Sequence, residues 1–557
     1  MAMAPVQLDS NVLLSVVVFV VSYSCLVVVR CLWSGRKDGG STLPPSPPPL
    51  PIIGNLHQLG RNHLHRRLLE LARRHGPLFL LRLGSVPTLV VSSASVAQEV
   101  LKTQDHVFCG RPQQHTARGL LYDCRDVAFG PYGERWRHLR RVAVQLLLSA
   151  KRVDSFRALR EQEVASFVER IRAASATHDG GGGGGKRPGV VNVSELLVSL
   201  TYTIISKAAF GNKLGGMEPG VVRAMMKETS ELLETIAVSD VFPRLRWVDR
   251  ATGLDARIAR TARKLDAVLE GALQEHEKGG GGNGGEADAD GDLLDDVLSA
   301  VKEGGARLNL DMTDAKGLIM DFFLAGTDTT YKTMEWTMVE LVKNPSEMER
   351  VQAEVRQVVG QHGSVAVVTE ERLRAMARLQ AAMKEALRLH PPVPLLVPHE
   401  VLQDTKLRGY DVPAKTRVLV NAWAIGRDDE CWEDAGAFRP ERFLDNHYKN
   451  NSHPHPSYAS VHSKSGANIA TILVVNAALD YSGKDFRFIP FGAGRRGCPG
   501  IGFATRLAEL ALANMLCHFD WELPDGQDAD SFQVVESSGI SPGLVCPLTL
   551  VAKPFEA

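Results

Sequence analysis

The 557-residue chain has no surplus of charge, because 64 Lys and Arg balance 64 Asp and Glu. That balance argues against nucleic acid as its main partner. Cysteine is sparse. The eight thiols (Cys25, Cys31, Cys109, Cys124, Cys431, Cys498, Cys517, Cys546) never fall in a CxxC pair. A zinc ribbon and a small disulfide scaffold are thereby excluded, and the usage suits a reducing compartment. No phosphate-binding loop is present either. The glycine runs Gly180–Gly185 and Gly279–Gly285 lack a following Lys-Ser/Thr and a preceding strand pattern, so both read as surface loops. Internal repeats and flavin or nicotinamide fingerprints are absent as well. What the chain does have is 44% hydrophobic and 23% charged residues, enough for a large core and against wholesale disorder.

Residues Val12 to Val29 form an uncharged run of 18. At a rise of about 1.5 Å per residue it spans roughly 27 Å, enough for a thin bilayer core. A cleaved signal peptide is the competing reading. Against it, no basic residue precedes the run, Asp9 is acidic and no A-x-A site follows. An uncleaved anchor over residues 1–30 is expected, with Arg30, Arg36 and Lys37 placing the remainder in the cytosol. Residues 31–55 contain LPPSPPPLPIIG (Leu43–Gly54), which reads as a stiff polyproline hinge rather than an SH3 or WW ligand. The Arg61–His75 segment reads as a basic helix with Leu64, Leu68 and Leu71 on one face; lipid proximity and simple solvation explain its charges equally well.

From residue 56 to 557 most of the chain carries helical periodicity. Strand-like alternation is confined to short pieces such as Leu78–Leu83, Pro87–Ser92 and Thr416–Asn421. One body, mainly α with a small β portion, is expected. Asn446–Leu479 does not fit. It opens polar, with His447, His453, His455 and His462, and ends apolar; without ligand spacing it reads as a flexible insertion, not a metal site.

The sharpest signal is FGAGRRGCPG, Phe491–Gly500. Five fixed residues in the pattern Phe-x-x-Gly-x-Arg-x-Cys-x-Gly arise by chance on the order of 10⁻⁴ times per chain of this composition. Gly494, Gly497 and Gly500 allow tight turns and close approach to a flat, bulky group. Cys498 precedes an apolar helical run, Ile501–Leu516, with Pro499 suited to the first turn. The helix N-terminus would favour a thiolate, as an axial haem ligand requires. An inert buried cysteine would leave the flanking Phe, Arg and glycines unexplained. This loop resembles the haem-ligand signature of the cytochrome P-450 monooxygenases. The resemblance implies Cys498 as the iron ligand of haem b, Phe491 packed beside the sulfur, Arg496 on a propionate and Gly500 lining the slot. It implies the P-450 fold too, with haem between a long central I helix and the L helix.

Other segments agree in order, from Pro44 onward. Thr313–Lys343 reads as one long helix, capped near Asp311 or Thr313 and ending before Pro345. Its centre, AGTDTT (Ala325–Thr330), is a run of poor helix formers, either a tolerated weak spot or an opening for a small ligand. It resembles the family's oxygen motif, which implies Asp328 and Thr329 as proton relay groups. Glu385 and Arg388 lie three apart on a helix ending before Pro391. An ExxR match alone carries little, since at least four others occur. Here, however, Phe438–Phe443 (FRPERF) follows and resembles the family's PERF segment, implying a structural network Glu385–Arg388–Arg442. WRHLR (Trp136–Arg140) resembles the helix that meets the propionates through Trp136 and Arg140, with Arg137 and Arg141 facing outward.

The proline hinge, His75–Gly84, FCGRP (Phe108–Pro112) and FGPYGERWRHLRR look like plant A-type microsomal members. The resemblance implies an endoplasmic-reticulum enzyme that oxidises a hydrophobic small molecule with O2. Electrons would come from an NADPH-cytochrome P-450 reductase, with cytochrome b5 as an optional second donor. The implied pocket (Gln113–Cys124, Phe322–Ala325, Val393–Val397, Ser537–Pro542) is mostly apolar and suits terpenoid, phenolic, indole-type or alkaloid precursors. Two rivals stand beside this. A haem-thiolate isomerase or dehydratase would use no reductase, and such members usually lose the residue at Thr329. An inactive haem-binding protein would follow if Asn446–Leu479 obstructs the haem face. The 47 residues between Phe443 and Phe491 exceed the family's usual spacing, so a translated intron or a private insertion is expected there.

Overall fold

A computed structural model of the chain describes residues 42–60, 63–176, 189–211, 219–279, 291–308, 310–360, 367–445, 474–475 and 479–555, with 18, 22 and 23 besides. Apart from those three, the expected anchor lies outside these residues, as do Gly180–Gly185, the second glycine run beyond Gly279 and almost all of Asn446–Leu479. The elements that position the site are α1 (Leu64–His75), β1 (Leu78–Leu83), β2 (Val86–Val91), α2 (Glu134–Arg141), α3 (Arg157–Ser175), β3 (Val190–Asn192), α4 (Val193–Phe210) and α5 (Pro219–Glu234). They continue with α6 (Leu254–Gly279), α7 (Leu293–Leu308), α8 (Met312–Lys343), α9 (Pro345–Val359), α10 (Ala377–Leu389), β4 (His399–Glu400) and β5 (Arg417–Val420). Last come α11 (Ile501–His518), β6 (Phe519–Glu522) and β7 (Thr549–Pro554).

The axis is α8, whose 32 residues span about 48 Å. Its start is fixed by a capping box. The Asp311 carboxylate accepts from the Thr313 and Asp314 amides, and Asp314 reaches back to the Asp311 amide. Its end is set by Asn344 and Pro345, the latter opening α9. Helices α4, α10, α11 and α7 pack against it around one large apolar cluster. Helix α4 is the one described helix long and apolar enough to cross a membrane, but 61% of it is buried in the body, which marks it as a core element.

The expected strands appear within a residue of their predicted ends. β1 pairs antiparallel with β2, β2 parallel with β5, and β5 antiparallel with β4. A second antiparallel sheet orders β6–β7–β3. Helix α1 buries Leu68 and Leu71 against the first sheet. The proline stretch is docked rather than free-standing. Pro44 and Pro47 are buried, the Pro45 carbonyl accepts the Leu80 amide (2.8 Å) and the Pro47 carbonyl accepts Asn55 Nδ2 (3.0 Å). Prolines lack donors, yet their carbonyls still anchor the segment.

Candidate functional site

The cysteine loop folds as a tight turn entering α11. The Cys498 amide donates to the Phe491 carbonyl (2.9 Å), and the Gly500 amide lies 3.3 Å from Cys498 Sγ. The reason for the glycines differs in part from the sequence reading. Gly492 (φ 68°) and Gly494 (φ 69°) occupy the left-handed region, whereas Gly497 and Gly500 do not. A Cβ on Gly494 would lie 2.1 Å from the Leu101 carbonyl oxygen, so close backbone approach dictates that residue. A Cβ on Gly500 would meet only Cys498 Sγ, at an ordinary contact distance of 3.8 Å, so neither φ nor space demands a glycine there.

Protein surrounds the thiol, and burial pushes its pKa up despite the Gly500 amide and the Arg140 charge, which favour the thiolate. The helix N-terminus expected to create a thiolate is therefore outweighed by desolvation. A bound metal ion would reverse this, because its charge deprotonates a coordinating thiol. Cys498 nonetheless keeps an exposed surface, although α11 behind it is almost wholly buried. Across the molecule the buried helix α8 also opens, with Ala325 exposed and Asp328 and Thr329 half-buried. Phe322 of α8 meets Phe503 of α11 edge to face at 5.6 Å, so these two helices flank that region.

Helix α8 does not break at AGTDTT; it stays helical throughout. Gly326 is explained by packing, since a Cβ there would lie 3.1 Å from Ile205 Cδ1 of α4. The threonine hydroxyls bond back into the helix, Thr327 to the Phe323 carbonyl (2.8 Å) and Thr329 to the Ala325 carbonyl (2.7 Å). Asp328 Oδ2 accepts from Lys332 Nζ at 2.8 Å.

Beside the cysteine loop sits a cluster of cations. Arg140 donates to the Gly497 carbonyl. Arg496 donates to the carbonyls of Cys109 (2.9 Å), Val127 (3.2 Å) and Gly130 (2.8 Å), and lies 4.0 Å over the Trp136 ring. Trp136 Nε1 is spent on the Val127 carbonyl (2.9 Å), so the indole braces Arg496 rather than offering a free donor. Arg111, from FCGRP, is a member the sequence reading did not single out. It is buried, and it donates to the Ala128, Val397 and Pro398 carbonyls. Its distance along the chain from Arg496 hid it. Among the described residues no carboxylate forms a salt bridge with Arg111, Arg140 or Arg496. Burial pulls all three down, Arg496 to about 10. The nearby carboxyls offer little compensation: burial raises Asp126 well above the carboxylate range and Asp321 to about 7. Buried cations without anions are costly. A group carrying two carboxylates, next to an open thiol and a small-residue loop, fits this donor set, which is the chemistry of a haem with its propionates.

Beneath the loop the predicted network is present. Glu385 and Arg388, both fully buried, pair bidentately at 2.7 Å, and Arg442 Nε reaches Glu385 Oε1 at 3.1 Å. Arg388 also donates to the Gly426, Ala435 and Ala437 carbonyls, fastening the segment before PERF. Arg137 and Arg141 are exposed on α2, as expected.

The Cytochrome P-450 family profile matches residues 44–542. Cytochrome P-450 71A1 of Persea americana is 44% identical over 502 residues, covering 90% of this chain and 91% of its own. Cytochrome P-450 736A117 of Prunus mume is 41% identical over 552 residues, covering 98% and 97%. A solved zebra fish cytochrome P-450 with abiraterone superposes with a TM-score of 0.68 at 25% identity, over 89% of this chain and all of that one. The protein is thus a haem-thiolate enzyme by fold and site, and it belongs to the cytochrome P-450 family. It is a monooxygenase of that family, similar to plant members, and its cofactor is haem held by a cysteine thiolate.

Proposed function

We propose that the protein is a membrane-anchored monooxygenase of the endoplasmic reticulum that oxidises a hydrophobic plant secondary metabolite. Electrons come from NADPH-cytochrome P-450 reductase, with cytochrome b5 as an optional second donor. The observation that carries this reading is the open Cys498 thiol together with three arginines, Arg111 buried and Arg140 and Arg496 half-buried, none of which forms a salt bridge with a carboxylate among the described residues. Cys498 is the iron ligand, with the Gly500 amide donating to its sulfur. Arg140 and Arg496 hold the propionates, Arg496 being braced on Trp136, while Phe491 packs beside the loop. The haem, when bound, activates O2, and its thiolate favours O–O cleavage. The chain supplies orientation, exclusion of water and protons. Asp328 and Thr329 of α8 hold and pass those protons, the Thr329 hydroxyl turning from the Ala325 carbonyl to do so. The segments Gln113–Cys124, Phe322–Ala325, Val393–Val397 and Ser537–Pro542 form the substrate wall. Glu385, Arg388 and Arg442 act structurally.

The deciding measurement is the CO-difference spectrum of the dithionite-reduced, membrane-expressed protein. The red-shifted Soret band of a thiolate-ligated haem is expected in the full chain and absent from Cys498→Ala. A folded full chain without the band overturns the reading.

A further inference from the structure

The C-terminal hairpin around Ser537–Gly543 is tied to α8 by a buried lysine that the reaction scheme above does not use. The hairpin closes through Ser537 and Gly543: the Ser537 amide donates to the Gly543 carbonyl (2.8 Å) and the Gly543 amide to Ser537 Oγ (2.9 Å). Its base is fixed to α1 by Arg66 on Glu536. Its tip meets Lys332, which is 5% exposed. Lys332 Nζ donates to the Ser541 carbonyl, to Ser541 Oγ (3.0 Å) and to Asp328 Oδ2 (2.8 Å), using all three N–H groups. The Ser541 amide in turn donates to Glu234 Oε1 at the end of α5 (3.3 Å).

Two glycines make room for these charged side chains. A Cβ on Gly543 would lie 3.1 Å from Lys332 Cε, and one on Gly539 would lie 2.3 Å from Glu234 Oε2. The hairpin is thus shaped around the lysine and the glutamate. A buried ammonium with three good acceptors has one orientation open to it, and its carboxylate partner shares that restriction.

We propose that Lys332 is a positioning residue for the reaction, holding the Asp328 carboxylate and the Ser541 turn in one bond network so that hairpin position and proton supply are set together. This rests on the reading of Asp328 as a proton relay group. Lys332 is spent on Asp328 and Ser541 and acts through them. While paired, Asp328 is held along α8 toward Lys332 and the Ser541 turn.

The test uses the full-length holoprotein, Lys332→Met, Lys332→Arg and the double variant Lys332→Met/Asp328→Asn. Amide hydrogen exchange at residues 537–543 reads the clamp. Exchange at least tenfold faster is expected in Lys332→Met and near wild-type exchange in Lys332→Arg. Peroxide release in substrate-free turnover with NADPH and reductase reads the carboxylate, because O2 takes two electrons and two protons to give H2O2. A rise of at least threefold is expected in Lys332→Met, abolished in the double variant and absent in Lys332→Arg. Unchanged exchange in Lys332→Met overturns the proposal. So does an unchanged peroxide rate, or a rise that survives in the double variant, which would reflect water entry through a loosened hairpin. A wild-type chain without the thiolate Soret band sinks the functional reading instead, and the exchange arm still decides the clamp.

Discussion

At the scale of single residues, the glycines of the cysteine loop divide into those the backbone requires and those it does not. Gly494 combines a positive φ with a near-contact to the Leu101 carbonyl, Gly492 has the positive φ with only ordinary contacts, and Gly502 in α11 has neither. Replacement by alanine should follow that order. Gly502→Ala should be neutral or stabilising by up to about 1 kcal/mol. Gly492→Ala should cost about 1–2 kcal/mol, and Gly494→Ala more than that, with loss of bound haem. Thermal unfolding and the haem-to-protein absorbance ratio check the series; equal effects at Gly492 and Gly494 would remove the close-approach explanation. The loop was legible because its spacing is local. Arg111 was not, because the long-range fold brings it to Arg496. Lys332 sits four residues from Asp328, a helical spacing that is visible in the sequence. Its hairpin partner Ser541 is not visible there.

At the scale of elements, α8 was readable nearly to the residue, since a capping aspartate and a terminal proline bracket it. The Glu385–Arg388 pair was readable only through FRPERF downstream. Both side chains are fully buried and satisfy each other, while Arg388 also donates to the carbonyls of the segment it fastens and Glu385 accepts from the Arg439 amide and Arg442 Nε. Removing one charge strands its partner, so Arg388→Ala and Glu385→Gln should each destabilise the protein by about 3–5 kcal/mol. Urea unfolding checks this, and a cost below about 1 kcal/mol for either would show the network to be dispensable. The C-terminal hairpin, by contrast, lacks alternation and could not be read as an element. Its base offers a pH test. Burial raises Glu536, but His65 and Arg66 beside it outweigh that and hold it at about 2. A depressed carboxylate contributes stability above its unfolded pKa and loses it as pH falls toward the folded one. Between about pH 5 and pH 2 the wild type should therefore lose on the order of 2–3 kcal/mol that Glu536→Gln does not lose. Parallel acid-unfolding curves for the two would contradict the assignment.

At the scale of the whole molecule, the charge balance hides an uneven surface. Helix α2 turns Trp136 and Arg140 inward to the cysteine loop, and the same eight residues present Arg137 and Arg141 outward. One short helix thus links the cation cluster to solvent on the cysteine side of the body. An acidic flavoprotein docking there would be steered by charges screened over about 8–10 Å at ordinary salt. Steering acts on encounter, so it shows in rate more than in final affinity. The rate of reduction by NADPH-cytochrome P-450 reductase should fall steeply as ionic strength rises from about 0.05 to 0.5 M, over which the Debye length shrinks about threefold. Arg137→Glu/Arg141→Glu should reduce slowly at low salt and lose most of the salt dependence, while its CO-difference band stays intact because neither side chain faces the loop. A double variant reduced at the wild-type rate, with the wild-type salt slope, would place the docking face elsewhere.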